Sequence, residues 1–254
     1  MLKQFQVGKM DVKVFEKRTE MGQVAATETA EAIKKVIAEK GECYIIFAAA
    51  PSQDDLTAAL VEDKSIDWTK VTAYHMDEYI GLDPEAPQGF GNYLKEKLFG
   101  QVPLKAVHYL KDIKGEPEEV CEKYSALLEE HKPDIVCMGI GENGHIAFND
   151  PHVAHFDDDK LVKVVDLDDT CRQQQVNDGC FKTFDDVPKY AYTLTIPALM
   201  LPEYIFCIVP APTKANAVKA TCQGIITEQV PATILRIHEN SNLYVDSDAG
   251  KYIL

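Results

Sequence analysis

No stretch of this 254-residue chain stays apolar for the length of a membrane span, no two of its seven cysteines have Cys-x-x-Cys spacing, and positive charge is scarce. Each shortage excludes something. Lys and Arg number 26 against 41 Asp and Glu, a formal net charge of −15, so a basic face able to neutralise a nucleic-acid backbone is not expected and neither is a nucleic-acid partner. The cysteines are odd in number and scattered. Cys43, Cys137 and Cys207 fall in apolar strand-like runs, the pattern of free buried thiols in a reducing compartment rather than of a disulfide framework or zinc site. The first residues, Met1 to Lys9, lack the continuous apolar core and small-residue cleavage site of a signal peptide, so cytoplasmic residence without a membrane partner is the expectation. There is no low-complexity tract and no internal repeat, and the one tryptophan, Trp68, is silent about function.

What is present is a soluble globular composition, 46% hydrophobic and 26% charged, in a chain long enough for one large α/β domain and short for two. Strand-like apolar runs alternate with helical patterns. Strands are expected at 43–47, 71–76, 106–110, 134–138, 161–166, 191–195, 204–209 and 243–245, and helices at 19–40, 54–61, 92–99, 116–131 and 213–222. This order predicts an α/β fold with a mostly parallel, doubly wound, Rossmann-like sheet and helices on both faces, residues 1–254 forming a single domain. Residues 151–187 are the most polar and the weakest for regular structure. A lid over a site and a plain surface loop are both open readings there. His152 and His155 lie beside Asp157, Asp158 and Asp159, but nothing fixes a ligand geometry, and no metal is expected.

Chemistry concentrates in two segments. Residues 139–151, Gly-Ile-Gly-Glu-Asn-Gly-His-Ile-Ala-Phe-Asn-Asp-Pro, follow the strand at 134–138, so a Gly-rich loop carrying Asn143, His145, Asn149 and Asp150 sits where a parallel strand emerges. Taken alone, an ordinary Gly-rich turn would account for it. The second segment ends the strand at 71–76 with Asp77-Glu78. Neighbours in an extended chain point to opposite sides, so one carboxylate is expected to face the mouth of the sheet while the other is structural. An acid and an imidazole at two strand ends point to proton transfer.

Together with Asp185-Asp-Val-Pro-Lys-Tyr-Ala191 and Pro231-Ala-Thr-Ile-Leu-Arg-Ile-His238, the segments Met76-Asp-Glu-Tyr-Ile-Gly-Leu82 and 139–151 resemble the glucosamine-6-phosphate deaminase/isomerase family over roughly residues 20 to 250. The related 6-phosphogluconolactonases usually have Asp-Glu-Arg where this chain has Asp77-Glu78-Tyr79. The resemblance implies a phosphorylated amino-sugar substrate, glucosamine 6-phosphate or galactosamine 6-phosphate, converted to a ketose 6-phosphate and ammonia without a cofactor. It implies Asp77 as the proton shuttle between C2 and C1, His145 as the ring-opening group, and Asp150 and Asn143 as its supports, where relatives commonly carry Glu and Asp. It implies phosphate binding by Ser52, Gln53, Arg172 and Lys214, the last at a helix start that favours anions.

The chain departs from the family pattern at Ala50-Pro51, where a hydroxyl-rich loop is usual, at Gly89-Phe90, and at Asn143. Retained chemistry beside altered ligand-facing positions is the pattern of a shifted substrate, such as the other epimer. Two other readings stay open: a sugar-lactone hydrolase with His145 as general base and Asp77 structural, and a non-catalytic sugar-phosphate-binding regulator. Self-association is also open.

Overall fold

The computed structural model describes residues 1–254. Its frame is an eight-stranded sheet in the order β1-β2-β11-β10-β7-β3-β4-β6, from β1 (Lys3–Val7), β2 (Met10–Phe15), β3 (Cys43–Phe47), β4 (Val71–His75), β6 (Ala106–His108), β7 (Ile135–Met138), β10 (Tyr204–Val209) and β11 (Ser241–Asp246). Every pairing is parallel except β1 with β2, the edge hairpin. Parallel strands covered on both faces are apolar along their whole length, as Cys43-Tyr-Ile-Ile-Phe47 illustrates. Ile45 and Phe47 enter one core and Ile46 the other.

The first core lies under α1 (Arg18–Lys40), α2 (Asp54–Glu62) and α3 (Phe90–Leu94). Met21, Ala25, Thr29, Ile33 and Val36 form the inward stripe of α1, at the three-and-four spacing that one helix face requires. The second core lies under α4 (Pro117–Glu130), α6 (Ile196–Met200) and α7 (Ala215–Gln223). The expected doubly wound parallel sheet is therefore what the chain builds, and Trp68 belongs to its packing at 4% exposure.

Three expectations need correction. Residues 3–15 form two strands that the sequence reading did not place, although Phe5 and Val7, then Met10, Val12 and Val14, alternate with polar residues about the Gly8-Lys9 turn. The strands at 161–166 and 191–195 exist, as β8 (Val162–Asp166) and β9 (Tyr190–Leu194), but they pair antiparallel with β5 (Asp77–Tyr79) in a separate three-stranded sheet. The polar segment 151–187 also contains more regular structure than its composition suggested, namely β8 and α5 (Asp169–Asn177), whose N-terminus is capped by the Asp168 carboxylate accepting from Cys171 N.

The order in which parallel strands are laid across the main sheet turns back beside β3: β4 and β6 are added on one side, β7, β10 and β11 on the other. The carboxyl ends of strands at such a switch point leave a crevice between diverging loops, and side chains from four strand ends can meet there.

Candidate active site

The crevice is a cleft of about 790 Å³, part of it open to solvent, lined from the ends of β3, β4, β7 and β10 and roofed by α5. Asp77, His145, Ser52 and Lys214 all line it.

Asp77 begins β5, immediately past the end of β4. Its carboxylate is 7% exposed, faces the cleft and takes no hydrogen bond from the protein. Burial, reinforced by the charge of Glu78, holds its pKa well above the usual carboxylate range. Its main chain is fixed by His75: Nδ1 lies 2.8 Å from the Asp77 carbonyl, and Nε2 accepts from Leu110 N at 3.0 Å. One nitrogen donating and the other accepting is the neutral imidazole, and burial lowers the His75 pKa in the same sense. Glu78 points the other way, as alternation requires. Its two oxygens accept from the N–H groups of Tyr79, Phe90 and Gly91, holding α3 against the strand. Tyr74 and Tyr79 are packing residues, at 0% and 4% exposure.

His145 comes from the loop after β7, where its ring rests on Gly141. A Cβ at Gly141 would fall 2.1 to 2.4 Å from three ring atoms, so only a bare α-carbon allows this approach. The imidazole is oriented by a closed set of bonds. Asn143 Nδ2 donates to Asp150 Oδ1 at 3.0 Å and to Asp168 Oδ2 at 3.2 Å, which turns its Oδ1 toward His145. That oxygen accepts from His145 N at 3.0 Å and from Nδ1 at 2.8 Å, and Asp150 Oδ1 lies 2.9 Å from the same Nδ1. With only acceptors around it, Nδ1 carries the proton, and Nε2 presents its lone pair to the cleft. Burial alone would raise the Asp150 pKa. The hydrogen bond and charge of His145, with Asn143 Nδ2 and Asp168 N, outweigh it and bring the value to about 2.

The Asn at 143 thus has a physical reason here. Its amide separates two carboxylates, Asp150 and Asp168, and an acid in its place would set three together. Asp168 was missed by sequence reasoning because its partners lie 18 and 25 residues away. A second link runs from this loop to β5: Thr193, paired with Asp77 in the small sheet, accepts from Phe148 N through Oγ1 at 3.1 Å.

Lys214 stands in the 3₁₀ turn Pro212–Lys214 that leads into α7, 6% exposed, with no side-chain hydrogen bond or ion pair. Burial lowers its pKa, partly offset by Asp178 and Glu142. A buried ammonium without a partner, beside a helix start, is well suited to an incoming anion. Ala211, three residues earlier, holds φ +87° and ψ 147°, a conformation that costs an L-residue energy; its N–H is tied to the Asp246 carboxylate.

Two assigned residues are not brought to the cleft. Gln53 turns under the 50–53 loop, where Nε2 donates to Ile208 O at 3.1 Å and Ser52 Oγ at 3.0 Å, and its own N–H goes to Ala50 O. Arg172 lies on α5 with Nη2 donating to Phe184 O and Val187 O, and its guanidinium over the Phe184 ring at 4.0 Å. It clamps a loop to α5. In exchange the fold supplies Arg18, Gln174, Gln175, Asp178 and Phe90 to the cleft; Phe90 is noted from sequence, the two glutamines and Asp178 lie within the polar 151–187 segment, and Arg18 has no signal at all.

Two groupings of His, Cys and carboxylate bring their donor atoms within 4.8 Å of one another: His145, Asp150 and Cys171, and Asp150, His152 and Asp168. Both rely on Asp150, whose oxygens are already engaged by His145, Asn143 and Asp168 N. His152 instead pairs with exposed Asp166 at 3.2 Å.

Residues 16–244 match the family described as glucosamine-6-phosphate isomerases/6-phosphogluconolactonase. A glucosamine-6-phosphate deaminase of Bacillus cytotoxicus is 33% identical over 217 residues, covering 85% of this chain and 80% of that protein. One from Streptococcus suis is 32% identical over 195 residues, covering 77% and 81%. Among solved structures, a monomeric glucosamine-6-phosphate deaminase superposes with a TM-score of 0.85 at 27% identity, covering 94% of this chain and 98% of that one. The 6-phosphogluconolactonase of Thermotoga maritima shares the fold, with a TM-score of 0.74 at 20% identity over 92% and 98%.

Proposed function

The chain belongs to the family of glucosamine-6-phosphate isomerases and 6-phosphogluconolactonases, and from that premise we propose that it is a hexosamine-6-phosphate deaminase/isomerase with Asp77 as its proton shuttle. The observation that carries the assignment is the Asp77 carboxylate itself, buried in the cleft wall without a protein partner. A structural acid would be hydrogen-bonded, as Glu78 is. An unpartnered one, held above the ordinary carboxylate range, is suited to taking a proton from C2 and returning it to C1.

His145 opens the sugar ring through Nε2, passing a proton between the anomeric hydroxyl and the ring oxygen, while Asn143 and Asp150 keep Nδ1 protonated and oriented. Lys214 and Ser52 receive the phosphate. Water then hydrolyses the C2 imine, releasing ammonia and the ketose phosphate. Isomerisation and imine hydrolysis need only acids, bases and water at these positions.

The lactonase alternative requires Asp77 to be structural, and the missing partner argues against that. The deciding experiment incubates purified protein with glucosamine 6-phosphate, galactosamine 6-phosphate and 6-phosphogluconolactone in parallel. Ammonia release from an amino sugar supports the reading, and lactone hydrolysis without ammonia refutes it. Since Phe90 and the Ala50-Pro51 loop line the cleft where relatives differ, we expect the higher kcat/KM with the galacto epimer. A strong preference for glucosamine 6-phosphate would make those positions neutral.

A further inference from the structure

A phosphate monoester near neutral pH carries close to two negative charges, and Arg172, the second cation the sequence offered, gives Nη2 to two backbone carbonyls and does not line the cleft. Arg18 is not. It opens α1 and lines the cleft beside Pro51 and Ser52. Its Nε donates to the Asp55 carboxylate and its Nη2 to the Pro51 carbonyl, while Nη1 has no protein partner and the side chain is 37% exposed. With Lys214 it makes up the basic side chains of the cleft lining.

The helix packing holds it there. Gly22, one turn along α1, lies so close to α2 that an added Cβ would come within 2.3 Å of the Asp55 Cβ. That approach brings the first turn of α1 onto Asp55 and the 50–53 loop. The loop itself is short of donors: Pro51 has no N–H, the Gln53 N–H is taken by Ala50 O, and Gln53 Nε2 points beneath it. A guanidinium anchored on two sides with Nη1 free offers what the loop lacks, N–H donors in a planar array that matches phosphate oxygens.

We propose that Arg18 is the second phosphate-binding cation of this chain, working with Lys214 and Ser52 in place of Arg172. The inference rests on the reading that the substrate carries a phosphate monoester.

The test measures the Kd of inorganic phosphate by calorimetry, and kcat and KM on the phosphorylated amino sugar, for wild type, Arg18→Gln, Arg18→Lys, Arg172→Gln and Lys214→Met. Arg18→Gln is expected to weaken phosphate binding about tenfold or more and to raise KM by a similar factor with kcat within about threefold, the split expected of a contact made equally in ground and transition states. Arg18→Lys should recover part of the affinity, which separates charge from loss of the helix tether, and Arg172→Gln should bind phosphate like wild type. Phosphate affinity unchanged in Arg18→Gln but lost in Lys214→Met would overturn the role of Arg18 and leave the proposed function standing. A wild-type protein that binds neither phosphate nor the sugar phosphate would overturn both.

Discussion

Replacing Gly141 by alanine adds one methyl group and should remove most of the activity. The added Cβ would lie 2.1 Å from His145 Cε1, 2.2 Å from Nε2 and 2.4 Å from Nδ1, whereas carbon atoms in contact keep about 3.5–4.0 Å. The imidazole must therefore move by roughly 1 to 1.5 Å, because Gly141 itself is pinned by its N–H to His145 O at 2.9 Å and its carbonyl to Gly144 N at 3.0 Å. The bonds from Nδ1 to Asn143 at 2.8 Å and toward Asp150 at 2.9 Å then stretch past hydrogen-bonding range. Misplacing a reacting group by about 1 Å costs on the order of a hundredfold in rate, and overpacking costs about 1–3 kcal/mol of stability. Gly141 has no left-handed backbone to strain, so the clash with the ring is the whole effect. Steady-state ammonia release is the assay, with phosphate affinity as the control expected to hold, since Ser52 and Lys214 come from other loops. A kcat within about threefold of wild type would refute the claim that Gly141 exists to seat His145.

Other consequences follow from the same network. Asp77→Asn should abolish both ammonia release and solvent-deuterium exchange at C2, yet make the protein more stable at neutral pH. The raised folded-state pKa means the native protein holds a proton that the unfolded chain gives up above about pH 3.9, so wild-type stability is eroded as pH rises through that window and the gap to the mutant closes below it. Thermal unfolding as a function of pH reads the sign, and normal exchange in the mutant would remove Asp77 from the mechanism. Asn143→Asp should destabilise by about 1–3 kcal/mol at neutral pH, because Asp150 and Asp168 lose a shared donor and gain a third carboxylate, and the loss should shrink on acidification as one of the three takes up a proton. Equal melting temperatures at pH 7 would show that the amide is incidental.

Most of the frame was legible because buried parallel strands write themselves as apolar runs: the observed β3 and β10 coincide with the runs read from sequence, and α1 differs by one residue. The split of Asp77 and Glu78 followed from strand alternation, and it holds. What stayed hidden depends on distance in the chain. Arg18 reaches the cleft through α1–α2 packing, and Asp168 reaches Asn143 across 25 residues. The α5 roof is rich in glutamine and acid, a composition with little helical periodicity to detect. Ala147 and Ala211 adopt positive φ without being glycine, so no residue type announced them. Arg172 and Gln53 differ from the expectation for the opposite reason: their identity suits phosphate, but Arg172 Nη2 and Gln53 Nε2 are bonded to main-chain carbonyls and neither residue lines the cleft.

Thr193 gives the two proton-handling groups a common point of reference. Asp77 follows β4 and His145 follows β7, strands that both pair with β3, so the main sheet spaces the two strand ends but not the loop that carries His145 beyond Met138. Thr193 touches both sides, through its strand pairing with Asp77 and its hydroxyl beneath the 139–151 loop. A ruler of this kind takes no part in chemistry and is invisible to any search for reactive side chains. It nevertheless sets the tolerance within which acid and imidazole can address one substrate, and an attempt to transplant the two loops into another scaffold would have to carry the ruler along with them.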